Sequence, residues 1–149
     1  MMLPIFVKKD WGWEYWFSNV QESIELPLGD DMVLKHIKKD YCGKILYVEY
    51  NKWSSNFRYH FHKIKDETFV VIEGILQIDY MKDDNTPATI YLNPLQTFRV
   101  RPGMKHRFTS VTETGCKFVE VSTFHSDEDS YRCTYDVESG DWLICPPSA

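Results

Sequence analysis

From about residue 31 to 136 the chain repeats one pattern. Short runs rich in Val, Ile, Phe, Tyr and Thr alternate with polar breaks. Runs of this length and composition, closely spaced, predict an all-β sandwich or barrel rather than alternating β/α units. The expected strands cover 32–38, 44–50, 68–72, 75–80, 88–92, 97–100, 107–111, 117–123 and 131–136. The breaks carry turn chemistry: Cys42-Gly43, Glu73-Gly74, Asn93-Pro94, Arg101-Pro102-Gly103 and Glu113-Thr114-Gly115 among them. Glu73-Gly74 sits between two β-prone runs with no other spacer. A sharp reversal is expected there, and Gly permits the positive φ it needs. No long stretch has helical periodicity, and a short helix is expected at 21–26 or at 126–130 at most. The aromatic stretch at 10–16 and the terminal Cys145-Pro146-Pro147 read as irregular segments packing on the barrel.

Composition narrows the class without naming a function. The length of 149 residues predicts a single domain spanning 1–149. Lys and Arg number 17 against 22 Asp and Glu, a net charge of −5 that speaks against nucleic acid or an anionic membrane as partner. The N-terminus lacks the order of a secretory signal, and no window approaches the roughly 20 apolar residues of a spanning helix. The four cysteines, Cys42, Cys116, Cys133 and Cys145, show no C-x-x-C spacing, so reduced thiols in a cytoplasmic protein are expected.

Candidate chemistry concentrates in Arg58-Tyr59-His60-Phe61-His62-Lys63-Ile64-Lys65-Asp66-Glu67. On an extended strand His60 and His62 share a face, because side chains alternate with period two. Glu67 follows a short loop and can open the next strand, and His106 follows the turn at Arg101-Pro102-Gly103. Three imidazoles and one carboxylate suit a divalent transition metal (Mn, Fe, Ni, Co or Zn) and leave coordination positions for water or substrate. Basic residues crowd both neighbourhoods: Arg58, Lys63, Lys65, Arg99, Arg101, Lys105 and Arg107. Of these Arg58, in phase with His60 and His62, and Lys105 are candidates to anchor a phosphate. Tyr59 is a candidate to meet a sugar. His125, with Asp127 and Asp129, reads as an exposed polar loop or a proton shuttle at the mouth.

His60-x-His62-x4-Glu67-x6-Gly74 resembles the first motif of the cupin superfamily, with Ser54 where that motif begins in Gly. Gly103-Met104-Lys105-His106 is similar to the second motif, with Arg101 at its Pro position and Ser110 at its closing Asn. Between them the two motifs keep all four ligand positions. The wording around His60 to Glu67, Trp11-Gly12-Trp13-Glu14 and the segment 122–132 resemble small cupins of sugar-phosphate isomerase and nucleotide-sugar biosynthesis. The resemblance implies a double-stranded β-helix (jelly-roll) barrel over about 31–136, and a homodimer. It implies His60, His62, Glu67 and His106 as ligands of one divalent transition metal, with Glu67 and His106 catalytic. The activity expected is a sugar or sugar-phosphate isomerase working through an enediol. An Fe(II)-dependent dioxygenase or lyase, or a non-catalytic carbohydrate- or metabolite-binding barrel, are the alternatives.

Overall fold

The structure, a computed structural model, describes residues 2–30 and 32–145. Its strands are β1 (Ile5–Lys9), β2 (Gly12–Gly29), β3 (Met32–Val48), β4 (Tyr59–Phe61), β5 (Glu67–Glu73), β6 (Leu76–Met81), β7 (Pro87–Leu92), β8 (Thr97–Val100), β9 (His106–Ser110), β10 (Cys116–Ser122), β11 (Tyr131–Asp136) and β12 (Asp141–Cys145). They form two six-stranded sheets, ordered β1-β2-β3-β10-β5-β8 and β12-β11-β4-β9-β6-β7. Every neighbouring pair is antiparallel. The two sheets share one core, which makes the molecule the all-β sandwich that the spacing predicts and the jelly roll that the resemblance implies.

Alternation builds that core. Leu46 and Val48 on β3, Phe69 and Val71 on β5, and Phe118 on β10 point inward from the first sheet, meeting Phe108 on β9 of the second. Phe69, Phe108 and Phe118 pack edge to face, with centroids 5.1 to 6.1 Å apart. Burying such rings contributes about 2 kcal/mol or more each. The Glu73-Gly74 reversal is present: Gly74 has φ +82° between β5 and β6.

Three expectations are corrected. Residues 21–26 are not helical but lie inside β2, where pairs such as Gln21↔Asp40 and Ser23↔Lys38 hold them to β3. Cys42-Gly43 is no break, since β3 runs through it. Phe17 is the extra residue of a bulge between Trp16 and Ser18, and a Cβ at Gly43 would run into its ring. Glycine there serves close packing rather than a turn. The stretch at 10–16 is not irregular, because Asp10-Trp11 turns the chain from β1 into β2 and the rest of it opens β2. At the other end Cys145 closes β12, while Pro146 and Pro147 lie outside the described residues. The segment 126–130 contains a single 3-10 turn, Asp127–Asp129.

Candidate metal centre

Separate pieces of backbone bring four donors together. His60 on β4 stands directly opposite His106 on β9, His62 follows the end of β4, and Glu67 opens β5. One donor atom from each lies within 4.8 Å of all the others, so this group can bind one divalent metal. The loop between His62 and Glu67 is held by Asp129. Its carboxylate accepts from the backbone N–H of Lys63 at 2.8 Å, Ile64 at 3.2 Å and Lys65 at 3.0 Å.

Hydrogen bonds to backbone fix two of the rings. His62 Nδ1 lies 2.9 Å from the Asp129 carbonyl oxygen, and His106 Nδ1 lies 3.0 Å from that of Met104. A carbonyl only accepts, so Nδ1 carries the proton and in each neutral ring Nε2 offers a lone pair. His62 Nε2 faces Glu67 Oε2 at 3.6 Å, and His106 Nε2 faces Glu67 Oε1 at 3.1 Å. His106 Nε2 is buried and makes no hydrogen bond. Lone pairs set against a carboxylate repel unless a cation lies between them, so these residues fit a divalent ion. Burial holds the His60 pKa well below that of a free imidazole, with His106 and His62 adding to the effect. Burial lowers His62 as well, against the pull of Glu67. Burial would raise the Glu67 carboxyl, but the Lys65 ammonium overrides it and keeps the group ionised.

The donors open onto a cavity of about 480 Å³. Arg58 lines it, as its phase with His60 predicts. Tyr59 and Lys105 do not. Tyr59 points to the other face of β4, 5.4 Å from Trp142 and 4.4 Å from the Arg107 guanidinium. Lys105 lies over Phe61 and Trp142 on that same outer side. Arg107 is held by Asp79 and the Phe57 carbonyl, and Arg99 is paired with Asp66. The Phe57 contact anchors a left-handed turn at the mouth, where Ser55, Asn56 and Phe57 have φ of 55°, 56° and 70°.

Three buried charged residues of the lining escaped the sequence reading: Glu14, Lys44 and Glu120. Phase is the signal that could have found them. Lys44 alternates with buried Leu46 and Val48, and Glu120 with buried Phe118. Lys65 ties this group to the metal centre. Its ammonium lies 2.9 Å from Glu67 Oε2, 2.7 Å from Glu120 Oε2 and 3.0 Å from His125 Nδ1. His125 therefore lines the cavity as a neutral ring, with Nε2 donating to Asp127 at 2.9 Å. Burial first, then the Lys44 and Lys65 ammonium groups, push its pKa down to about 2.

Comparison with solved structures decides the fold. The capsular polysaccharide assembling protein CapF of Staphylococcus aureus superposes with a TM-score of 0.63 at 13% identity, covering 98% of this chain and 32% of that one. This is a cupin fold. A Lactobacillus farciminis oxalate decarboxylase in complex with formate gives 0.62 at 14% identity, over 85% of this chain and 33% of that one. The Bacillus subtilis oxalate decarboxylase at pH 4.6 gives 0.63 at 13%, over 87% and 30%. The chain thus spans about a third of the length of these neighbours. No protein-family model matches it, and no curated protein does. Among the described residues no helix is long and apolar enough to cross a membrane.

Proposed function

We propose that this cupin is a metal-dependent isomerase of a sugar, and preferably of a sugar phosphate. One observation carries the reading: the four-donor centre opens onto a cavity lined by five basic and five acidic side chains. That wall is electrically balanced without an ion, so a bound divalent cation leaves a net positive charge for an anionic, hydroxyl-rich substrate. CapF, whose name concerns a capsular polysaccharide, supports a carbohydrate setting. The Mn(II) centres of the Bacillus subtilis oxalate decarboxylase support Mn among the candidate ions.

His60, His62, Glu67 and His106 would hold the ion. When bound, it supplies positive charge that stabilises the enediolate formed as a proton leaves the carbon next to the carbonyl. Lys65 keeps Glu67 in the base form, ready to take that proton. His106 acts as ligand, its Nδ1–H spent on Met104. Arg58, whose Nε donates to the Ser55 carbonyl of the left-handed turn, would hold a phosphate with its remaining N–H groups. A homodimer in the cytoplasm completes the reading, with the pairing alone supported by exposed Phe6, Phe17 and Tyr41 on β1 to β3.

The test is solvent proton exchange at C2 of phosphorylated aldoses, followed by NMR in D2O with Mn, Fe, Co, Ni or Zn loaded in turn. Exchange with at least one ion is expected, and its absence across the panel removes the isomerase. The decarboxylase neighbours favour a second reading, a lyase or Fe(II) oxygenase on the same donors. Carbon dioxide release from oxalate, or oxygen uptake by the Fe(II)-loaded protein, would establish it.

A further inference from the structure

A second set of charges is buried beside the metal centre and belongs to no ligand set. Lys44 on β3 lies opposite Trp16 on β2 and opposite Glu120 on β10. Its side chain is 1% exposed, yet the nearest carboxylate oxygens, Glu14 Oε1 and Glu120 Oε2, stand off at 3.8 and 3.9 Å. Both gaps are too long for hydrogen bonds, and the Lys44 ammonium makes none among the described residues. Its closest support is the Trp16 ring, 3.9 Å away at the centroid. Lys65, equally buried, shows what a satisfied ammonium looks like here: three acceptors at 2.7 to 3.0 Å. With two carboxylates at ion-pair range but no acceptor in contact, the ammonium is poorly compensated for the water it gave up. Lys44, Glu14 and Glu120 all line the cavity, so a ligand can reach them.

We propose that Lys44, flanked by Glu14 and Glu120, is a subsite that reads the hydroxyl groups of a sugar while its reactive end lies at the metal centre. The proposal rests on the carbohydrate reading above. A hydroxyl both accepts and donates, so one oxygen can accept a hydrogen bond from Lys44 and donate one to a carboxylate. Two vicinal hydroxyls would bridge both pairs from the cavity side, the first Lys44 and Glu14, the second Lys44 and Glu120. A phosphate or carboxylate is refused, because each gap has a carboxylate on its far side. An apolar group would leave the ammonium stranded. The subsite therefore selects a diol segment and leaves any anion of the substrate to Arg58 at the mouth.

The experiment is isothermal titration of the full, Zn(II)-loaded chain with D-glucose, D-mannose, D-xylose, D-ribose and the 6-phosphates of the first two. At least one sugar is expected to bind. Lys44→Met should weaken that binding tenfold or more and Glu14→Gln several-fold, with Zn(II) affinity held within twofold. Lys44→Met strands Glu120 and can fail to fold; Lys44→Arg and Glu14→Gln then carry the test. No binding to the wild type, unchanged binding in the variants, or a loss that tracks Zn(II) affinity would each overturn the subsite. Weakened sugar binding with no C2 exchange in the wild type leaves the subsite standing and removes the isomerase. Exchange with an unchanged KM in Lys44→Met does the reverse.

Discussion

Lys65 Nζ lies 2.9 Å from Glu67 Oε2, which turns the other oxygen, Oε1, to face His106 Nε2 at 3.1 Å. The lysine thereby stands in for part of the charge that a metal ion would bring. Lys65→Met should destabilise the metal-free protein by about 3 to 5 kcal/mol, since Glu67 and Glu120 lose their shared counter-charge while still buried. A divalent ion would restore some of it. Thermal or urea unfolding with and without Zn(II) should therefore show a larger metal-induced gain in Lys65→Met than in the wild type. An equal or smaller gain would contradict the charge-sharing role.

Ligand loss has a different signature. With Zn(II) at a hundred times its Kd, the wild type should gain about 2.7 kcal/mol of stability from binding alone. His106→Ala and His60→Ala should gain almost none, and chelator should not change their Tm. A full gain in either variant would place the ion elsewhere.

His60, His62 and His125 all make the metal-free protein less stable in acid, and His125 is the one of the three outside the ligand set. Its folded pKa is about 2, against about 6.5 in the unfolded chain. Between those values the unfolded chain binds a proton that the folded one refuses. Stability is thus full above about pH 6.5 and falls as pH drops through the window, by about 1.4 kcal/mol per unit for this group. Urea unfolding between about pH 8 and pH 5.5 should show it. His125→Gln, which keeps an acceptor for Lys65, should lose about one proton from the slope. Equal slopes would mean that His125 titrates normally.

Two glycines of nearly equal φ should respond unequally to alanine. Gly74 has φ +82° and Gly103 φ +84°. A Cβ at Gly74 would run into the Gly115 carbonyl oxygen, whereas one at Gly103 meets open space. Gly103→Ala should cost about 1 to 2 kcal/mol of backbone strain. Gly74→Ala should cost more, at least about 3 kcal/mol, because backbone must also move. Chemical denaturation of the two variants side by side gives the comparison.

The donor set was legible because short spacing turns into geometry with few choices: period two aligns His60 with His62, and a tight loop delivers Glu67. Parity also placed Arg58. β2 was not legible, because its 18 residues are held by β3 across their whole length rather than by their own polar composition. Gly43 misled because a glycine needed for Phe17 to approach looks in sequence like a glycine needed to turn. Lys44, Glu14 and Glu120 hid for another reason. Their charge points to solvent while their phase with Leu46, Trp16 and Phe118 points inward, and phase prevailed. Tyr59 and Lys105 were near the motifs in sequence but lie on the outer face of the sheet.

β4 is three residues long, and its register with β9 rests on the single pair His60↔His106. That seam also joins β11 and β12 to the rest of their sheet. A slip of one residue would turn His60 outward and offer Tyr59 or Phe61 to the cavity instead. An ion that grips both imidazoles is therefore a clasp across the weakest seam of the barrel, and only a correctly threaded chain can fasten it. Occupancy of the centre would proofread strand assembly before any substrate arrives.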